Sequence, residues 1–550
     1  MFSSKLLLVL ATLLVGNVVE GLWPLPRSIT NGSTGLVLSP TFEIEVNGPY
    51  PDDLQSAVAR TLEYIKNDNH ERLVVGRGSV DSAAIKSANT LPSLVVFSHD
   101  SKTIAVEARA PLGTRDEAYT LDVPSDGSPA TLCANSTLGL FRGLTTFSQI
   151  WYTYGSNIYT VEAPISISDS PAFPYRGFML DTARNYFPVD VIKRQLEAMS
   201  WVKQNVFHWH IVDSQSFPLV IPGYETISSN GAYSTDEIYT PSQIADVVSF
   251  ANERGIDVIP EIDTPGHTSA ISTAFPQHMA CPDASPWALY ANEPPSGQLR
   301  IASPETVNFT ANLLVNAANL FSGSYFSTGG DEINTKCYSD DPETQSALNA
   351  SGKTFAQALD DFIQAEHKAL RNVGKTAVVW QELVLTFPVT LANDTIIMVW
   401  ITSSDAASVV EKGFRIVHAP SDYFYLDCGA GAWLGNATAG NSWCDPFKTW
   451  QKAYSFDPYA NVTESQRDLV LGGQQALWTE QSSPNNVDSI VWPRAAASAE
   501  VFWSGPGGNG QTALPRLHDH AYRMIGRGIK AIALQPQWCA LRPGKCDLTA

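Results

Sequence analysis

Basic residues are scarce in this chain. Its 550 residues carry 35 Lys and Arg against 55 Asp and Glu, a formal charge of −20. A surface so short of cations repels phosphate, which argues against nucleic acid and anionic membrane faces as partners. Long apolar runs are also missing. Beyond the opening residues, no stretch is long enough to span a bilayer, so a soluble product is expected. No low-complexity tract or short repeat interrupts the chain. Cysteine is sparse, with seven in 550 residues.

What is there suits a large folded body. Hydrophobic residues make up 44% and aromatics 10%, enough for a sizeable core. The length exceeds one ordinary domain and suits a large barrel plus a smaller unit. Lys5 is followed by an apolar run from Leu6 to Val15, then by the small residues Gly16 and Gly21. Residues 1–21 therefore read as a cleaved secretory signal. The expected location is extracellular, with an acidic vacuolar or lysosome-like compartment as the alternative. Seven sequons follow, at Asn31, Asn135, Asn308, Asn349, Asn393, Asn436 and Asn461, and suggest a glycosylated surface. Cys428 and Cys444, and Cys539 and Cys546, are close enough in sequence to staple loops, and Cys281 and Cys337 are then available to join two longer ones. Sequence leaves the connectivity open and one cysteine over, here assigned to Cys133.

Residues 22–170 read as a separate small α/β domain. Strands are expected at Phe42–Val46, Leu94–Phe97 and Ala118–Val123, and helices at Leu54–Ile65 and Leu138–Trp151. The Pro/Ser-rich join at Ser168–Pro174 marks the boundary. From 171 to 550 the pattern becomes strands alternating with longer helices. Expected strands end at Asp181, Asp213, Glu261, Gly329, Trp380, Trp400, Ala419 and Trp478. Helices are expected at Val189–Lys203, Pro241–Arg254 and Phe355–Val373. Eight such units predict a (β/α)8 TIM barrel. Parallel barrels gather reactive groups at the C-terminal strand ends, and Asp181, Asp213, Glu261, Asp331, Glu332, Trp380, Trp400 and Trp478 fall there.

The stretch Tyr325–Glu332 is the centre of this reading. A Gly-Gly pair admits close backbone approach, and two adjacent acids follow it. Mutual repulsion of Asp331 and Glu332 is expected to raise one pKa, leaving one carboxyl as a general acid and the other charged. His208 and His210 lie on one strand face, near Asp213, Glu261 and Asp263, so a metal-dependent hydrolase is an alternative. Phe207 and Trp209 between and beside them favour a packed layer with hydrogen-bonded imidazoles instead. Thr264-Pro265-Gly266 is a turn that hangs His267 over the barrel mouth. Trp380, Trp400 and Trp478 suit an apolar cage for a sugar face or an acetamido methyl.

Taken together these stretches resemble glycoside hydrolase family 20, the β-N-acetylhexosaminidases, and most of all its secreted fungal members. The matching residues are Arg176–Asp181, Phe207–Asp213, Asp263–His267, Gly329–Glu332, Trp380–Glu382, Tyr425–Asp427 and Trp478–Glu480. The resemblance implies a zincin-like α/β domain before the barrel. It also implies an exo-acting, retaining enzyme that removes terminal N-acetylglucosamine or N-acetylgalactosamine from chitooligosaccharides and glycans without a cofactor or metal. Glu332 would be the acid and then the base. Asp331 would hold the 2-acetamido N–H, and Tyr425 its carbonyl. His267 would orient the acids, and Trp380, Trp400 and Trp478 would enclose the acetamido group. Arg176 and Glu480, supported by Asp213, would bind ring hydroxyls, and Asp427 the 6-hydroxyl. A homodimer through the later barrel helices is implied as well. Ser214 after Asp213 departs from relatives that carry a second acid there, and Gln474-Gln475 carries no expected role. A sugar-binding protein without turnover is the non-enzymatic alternative.

Overall fold

A computed structural model describes residues 21–435 and 440–550. Residues 1–20 and the sequon at Asn436 lie outside the described residues. Of the other sequons, Asn135, Asn308, Asn349, Asn393 and Asn461 are exposed and Asn31 is half-buried. No helix among the described residues is long and apolar enough to cross a membrane.

The N-terminal unit is a six-stranded sheet in the order 28–47, 89–97, 130–133, 119–123, 157–169, 152–154. Its longest strand, Ser28–Asn47, pairs parallel with Asn89–Phe97 and antiparallel with Asn157–Asp169. Each edge takes one partner, and the strand shifts register between Asn31 and Leu36 against the second and between Leu38 and Glu43 against the first. Helices Asp52–Asn67 and Thr137–Gln149 place Leu54, Val58, Leu138 and Leu144 in the core with Leu94, Val96, Leu121 and Ile165.

Eight parallel strands close the barrel: Tyr175–Asp181, Val206–Val212, Asp257–Ile262, Tyr325–Ser327, Thr376–Trp380, Ile396–Val399, Arg415–His418 and Val470–Leu477. The eighth hydrogen-bonds to the first, so no edge is left open. Strands covered on both faces need apolar side chains throughout, hence runs such as Ile396–Val399. Alternation along Val206–Val212 sends His208 and His210 inward, while Phe207 and Trp209 pack outward among Tyr239 and Phe321. Helix Pro241–Asn252 begins on a reciprocal Thr240–Gln243 capping box with proline in its first turn, and Phe355–Asn372 on a Thr354–Gln357 box.

The sheet's last long strand ends at Asp169 and the barrel's first begins at Tyr175. The two units lock through buried charge. Glu117 accepts from Arg142 at 2.8 Å and from Arg176 at 2.5 Å. Arg115 bonds Asp257 at 2.8 Å, and Lys203 bonds Asp169 at 3.0 Å. Breaking one member of such a network strands its partner's charge, which costs far more than an exposed pair. Disulfides join Cys281 to Cys337, Cys428 to Cys444 and Cys539 to Cys546, the pairings expected, and Cys133 is the free cysteine among the described residues.

Candidate active site

The fourth barrel strand is only three residues long and runs straight into Thr328-Gly329-Gly330-Asp331-Glu332. Both glycines are required. Gly329 and Gly330 have φ of +65° and +96°. A Cβ on Gly329 would meet Asp263 Oδ1 at 1.9 Å, and one on Gly330 would meet Leu383 at 2.5 Å. In return Gly330 N–H donates to Asp263 Oδ1 at 2.8 Å. Glu332 itself sits at φ +51°, a conformation rare for a non-glycine residue and typical of functional turns.

His267 arrives from the turn after the third strand. Its Nδ1 lies 3.0 Å from Asp213 Oδ1, and its Nε2 lies 3.4 Å from Glu332 Oε2 and 3.8 Å from Asp331 Oδ2. Asp213 and Asp263 raise the imidazole well above its usual range, although burial opposes them. Burial alone would raise Glu332, but the His267 imidazole 3.4 Å away holds it below the usual glutamate range. Asp331 is raised, by burial and then by the charges of Glu332 and Glu261. The two carboxyls are split, but the raised one is Asp331, while Glu332, the expected acid, is lowered because the histidine sits closer to it.

These groups open onto a cleft of about 120 Å³ lined also by Arg184, Asn292, Glu293, Trp400, Tyr425, Asp427, Trp433, Leu434, Trp443, Trp478 and Glu480. Trp400 and Tyr425 are nearly parallel, 6.3 Å apart, and Trp443 stands edge-on to both at 5.5 and 5.7 Å. Tyr425 is tied down by its β-bridge to Ala476 of the eighth strand. Trp400 is held by its indole N–H on Glu382, 2.9 Å away. Burial and the charge of Asp331 push that carboxyl up to about 8. Burial pushes Asp427 up to about 7 and Glu480 well above its usual range. Acids held near neutrality in this way can donate as well as accept. Asp331 Oδ1 and Asp427 Oδ1 are buried without a hydrogen-bond partner among the described residues, so polar atoms line the cleft unused.

The structure brings Asp331, Glu332, His267, Tyr425, Trp400, Trp478, Asp427 and Glu480 together. Asp213 is 1% exposed; it stands behind His267 and also holds Arg184, so it supports the cleft without lining it. Trp380 is also 1% exposed; it lies beneath Trp478, 6.3 Å away, with its indole N–H on Glu261, so it forms floor rather than wall. Arg176 requires correction. It sits at the start of the first strand, fully buried against Glu117, Lys203 and Phe173, at the opposite barrel end. Arg184, past that strand's end, occupies the cleft instead. It bonds Asp213 at 2.8 Å and Glu293, and its guanidinium lies 5.0 Å over Trp478. Glu293 and Asn292 come from a loop that the Cys281–Cys337 disulfide ties next to Glu332. The Cys428–Cys444 bridge closes the loop that carries Trp433 and Trp443. Sequence reading missed Arg184, Glu293 and Glu382; the strand end five residues beyond Arg176 was the available signal for the first.

These positions separate the two arginines experimentally. Arg184→Lys loses the planar fork over Trp478 and is expected to raise KM at least tenfold. Arg176→Lys is expected to lower Tm and leave KM unchanged. Melting curves and Michaelis kinetics on the same preparations check both.

Comparison with known proteins agrees with this geometry. Residues 173–506 match the catalytic domain of glycosyl hydrolase family 20, and residues 22–150 match a beta-acetyl hexosaminidase-like domain. The chain therefore belongs to glycosyl hydrolase family 20. It is a glycoside hydrolase of the β-N-acetylhexosaminidase type. A chitooligosaccharidolytic beta-N-acetylglucosaminidase of Ostrinia furnacalis is 35% identical over 96% of this chain and 89% of its own. A beta-hexosaminidase of Arthroderma benhamiae is 36% identical over 82% of this chain and 78% of its own. Among solved structures, an exo beta-N-acetylglucosaminidase from Vibrio harveyi in complex with N-acetylglucosamine superposes with a TM-score of 0.76. It is 25% identical and covers 94% of this chain and 78% of that one.

Proposed function

We propose that the chain removes single β-linked N-acetylhexosamine residues from the non-reducing ends of chitooligosaccharides and glycans, retaining the anomeric configuration through an oxazolinium intermediate. One observation carries the assignment of roles. A single cleft joins the histidine-linked Asp331–Glu332 pair to a tyrosine held between indole rings. Family 20 stands outside the usual two-carboxylate scheme, because the substrate's own acetamide is the nucleophile.

In this reading Trp400 and Trp478 confine the acetamido methyl, Tyr425 O–H donates to its carbonyl, and Asp331 accepts from its N–H. The carbonyl oxygen is then held in line with the anomeric carbon, an advantage of roughly 10⁵–10⁸ M in effective concentration. Glu332 protonates the departing oxygen and then takes a proton from water. Its proton is close at hand: His267 Nε2 lies 3.4 Å away. A sugar filling the cleft displaces water from Glu332. Desolvation disfavours the imidazolium–carboxylate pair relative to the neutral one, so substrate entry moves the proton onto Glu332. Arg184, Asp427 and Glu480 read the ring hydroxyls. Hydrogen bonding of His208 and His210 to carboxylates favours the packed layer over the metal reading.

Hydrolysis of an aryl β-N-acetylglucosaminide, followed by NMR of the first-formed anomer, tests the proposal. The expected results are β product, no effect of chelator, and tight competition by an N-acetylglucosamine-thiazoline. First-formed α product, or indifference to the thiazoline, overturns it. The leader, the exposed sequons and the disulfides support secretion. Exposed Ile525, Ile532 and Trp538 near the C-terminal end support a homodimer, which sedimentation would check.

A further inference from the structure

We propose that His210, buried on the barrel axis, is a permanent imidazolium that keeps Asp213 ionised and through it positions His267 against Glu332. The inference rests on the functional reading above and adds a positioning residue that touches no substrate.

Counting hydrogens leads to it. Glu261 faces four donors: His210 Nδ1 at 2.5 Å, His208 Nε2 at 3.0 Å, Trp380 Nε1 at 3.3 Å, and the hydroxyl of Ser327. Ser327 Oγ in turn accepts from Gly329 N–H, so its own proton is free to go to Glu261. The state of His208 is fixed from its other side. Tyr175 O–H donates to Gln474 Oε1 at 2.5 Å, which turns the amide nitrogen toward His208 Nδ1 at 3.0 Å and Met398 Sδ at 3.5 Å. His208 Nδ1 must accept, so the ring is neutral and donates through Nε2. Gln474, to which the sequence assigned no role, sets this tautomer.

Asp213 is filled in the same way. Oδ1 accepts from Ser214 N–H at 2.5 Å and faces His267 Nδ1 at 3.0 Å, while Oδ2 faces His210 Nε2 at 2.7 Å and forms an ion pair with Arg184 Nη1 at 2.8 Å. Apart from His210, three donors point at Glu261, and two donors and the Arg184 cation lie against Asp213; these favour the ionised form of both carboxylates. With one carboxylate 2.5 Å from Nδ1 and the other 2.7 Å from Nε2, both hydrogens fall to His210. Arg184 Nη1, 3.5 Å from His210 Nε2, can donate there only if that nitrogen is bare; with His210 charged, the two cations share Asp213 Oδ2 instead.

The remaining neighbours fit. Asp263, after the third strand, lies with Glu261 and His210 so that one ring nitrogen or carboxylate oxygen from each is within 4.8 Å of the others. Asp181, opposite His210 in the ladder, is occupied by Ala183, Arg184 and Thr479. Trp478 meets the ring edge-on at 4.8 Å. Burial alone would lower this imidazole, but the carboxylates outweigh it and push it up to about 9. The added charge matters because His267 also carries one. A carboxylate that held Arg184 alone would protonate at higher pH, and a protonated Asp213 no longer fixes His267 Nδ1–H.

Neutron diffraction on the wild-type protein at pH 8 reads the ring directly and needs no substrate, so it stands apart from any failure of the hydrolase reading. Deuterium on both nitrogens of His210 and on Nε2 alone of His208 is expected; a single deuteron on His210 overturns the proposal. His210→Gln places an amide N–H near the old Nε2 and so keeps the bond to Asp213 without the charge. Combined with Asp331→Asn, which removes the acid-side titration above it, the variant is expected to move the acid limb of the kcat/KM profile up by about one unit or more, with KM little changed. A limb superimposable on that of Asp331→Asn alone also overturns it. If the variant does not fold, the neutron result decides.

Discussion

Replacing Glu332 by Gln is expected to lower kcat/KM on chitobiose by about 10³-fold, within the span that general acid–base groups supply. The amide preserves shape and can still face His267 Nε2, so the cleft and its sugar affinity should survive. What it lacks is a transferable proton. The loss should therefore follow the leaving group. An aryl glycoside with an acidic phenol departs with little protonation, and its first step should be slowed far less than that of a sugar alcohol. The second step, activation of water, suffers for both, and added azide should relieve it because that nucleophile needs no base. Steady-state rates over a series of phenols check this. Equal losses across the series, or a loss under tenfold on chitobiose, would remove Glu332 from proton transfer.

The barrel was legible because its physics is repetitive. Strands buried on both faces must be apolar along their length, and in this chain most stop at an acid or a tryptophan, as Tyr175–Asp181 and Thr376–Trp380 do. Arg176 shows where this logic was applied incompletely. It lies five residues before Asp181, and at about 3.3 Å per residue that is roughly 17 Å down the barrel. A residue at the start of a parallel strand belongs to the other end, where Glu117 receives it. Glu293 was hidden for a different reason. Its loop has no periodicity, and contacts distant in sequence bring it to the cleft: the Cys281–Cys337 disulfide, Arg184 and Gln215. Strand Asn157–Asp169 escaped because Pro164 interrupts its alternation; the ladder absorbs the proline in a register shift between Asn31 and Thr34. The exchange of pKa order within the acid pair depends on His267, which is distant in sequence and near in space.

Asp331→Asn is expected to lower kcat by about 10²–10³-fold with KM changed far less, the effect of removing one preorganised electrostatic contact at a developing charge. The oxazolinium carries a positive charge spread over nitrogen and oxygen, and the carboxylate beside its N–H opposes that charge most strongly after the ring closes. An asparagine keeps the volume and one carbonyl acceptor, yet contributes no charge and can turn its amide donor toward the substrate N–H. Affinity for the thiazoline should fall together with kcat, because that inhibitor resembles the charged intermediate, whereas product N-acetylglucosamine should bind nearly as before. The pH profile gives an independent sign. Burial and then the charges of Glu332 and Glu261 raise the pKa of Asp331. Because the reaction needs the ionised form, activity in the wild type fades as pH falls through that raised value. With asparagine in its place nothing titrates there, so the acid limb should move to lower pH while the maximum rate drops. Isothermal titration with the thiazoline and rate profiles between pH 3 and 8 measure both effects. An unchanged acid limb with undiminished thiazoline binding would show that Asp331 supports the fold of the turn and not the charge of the intermediate.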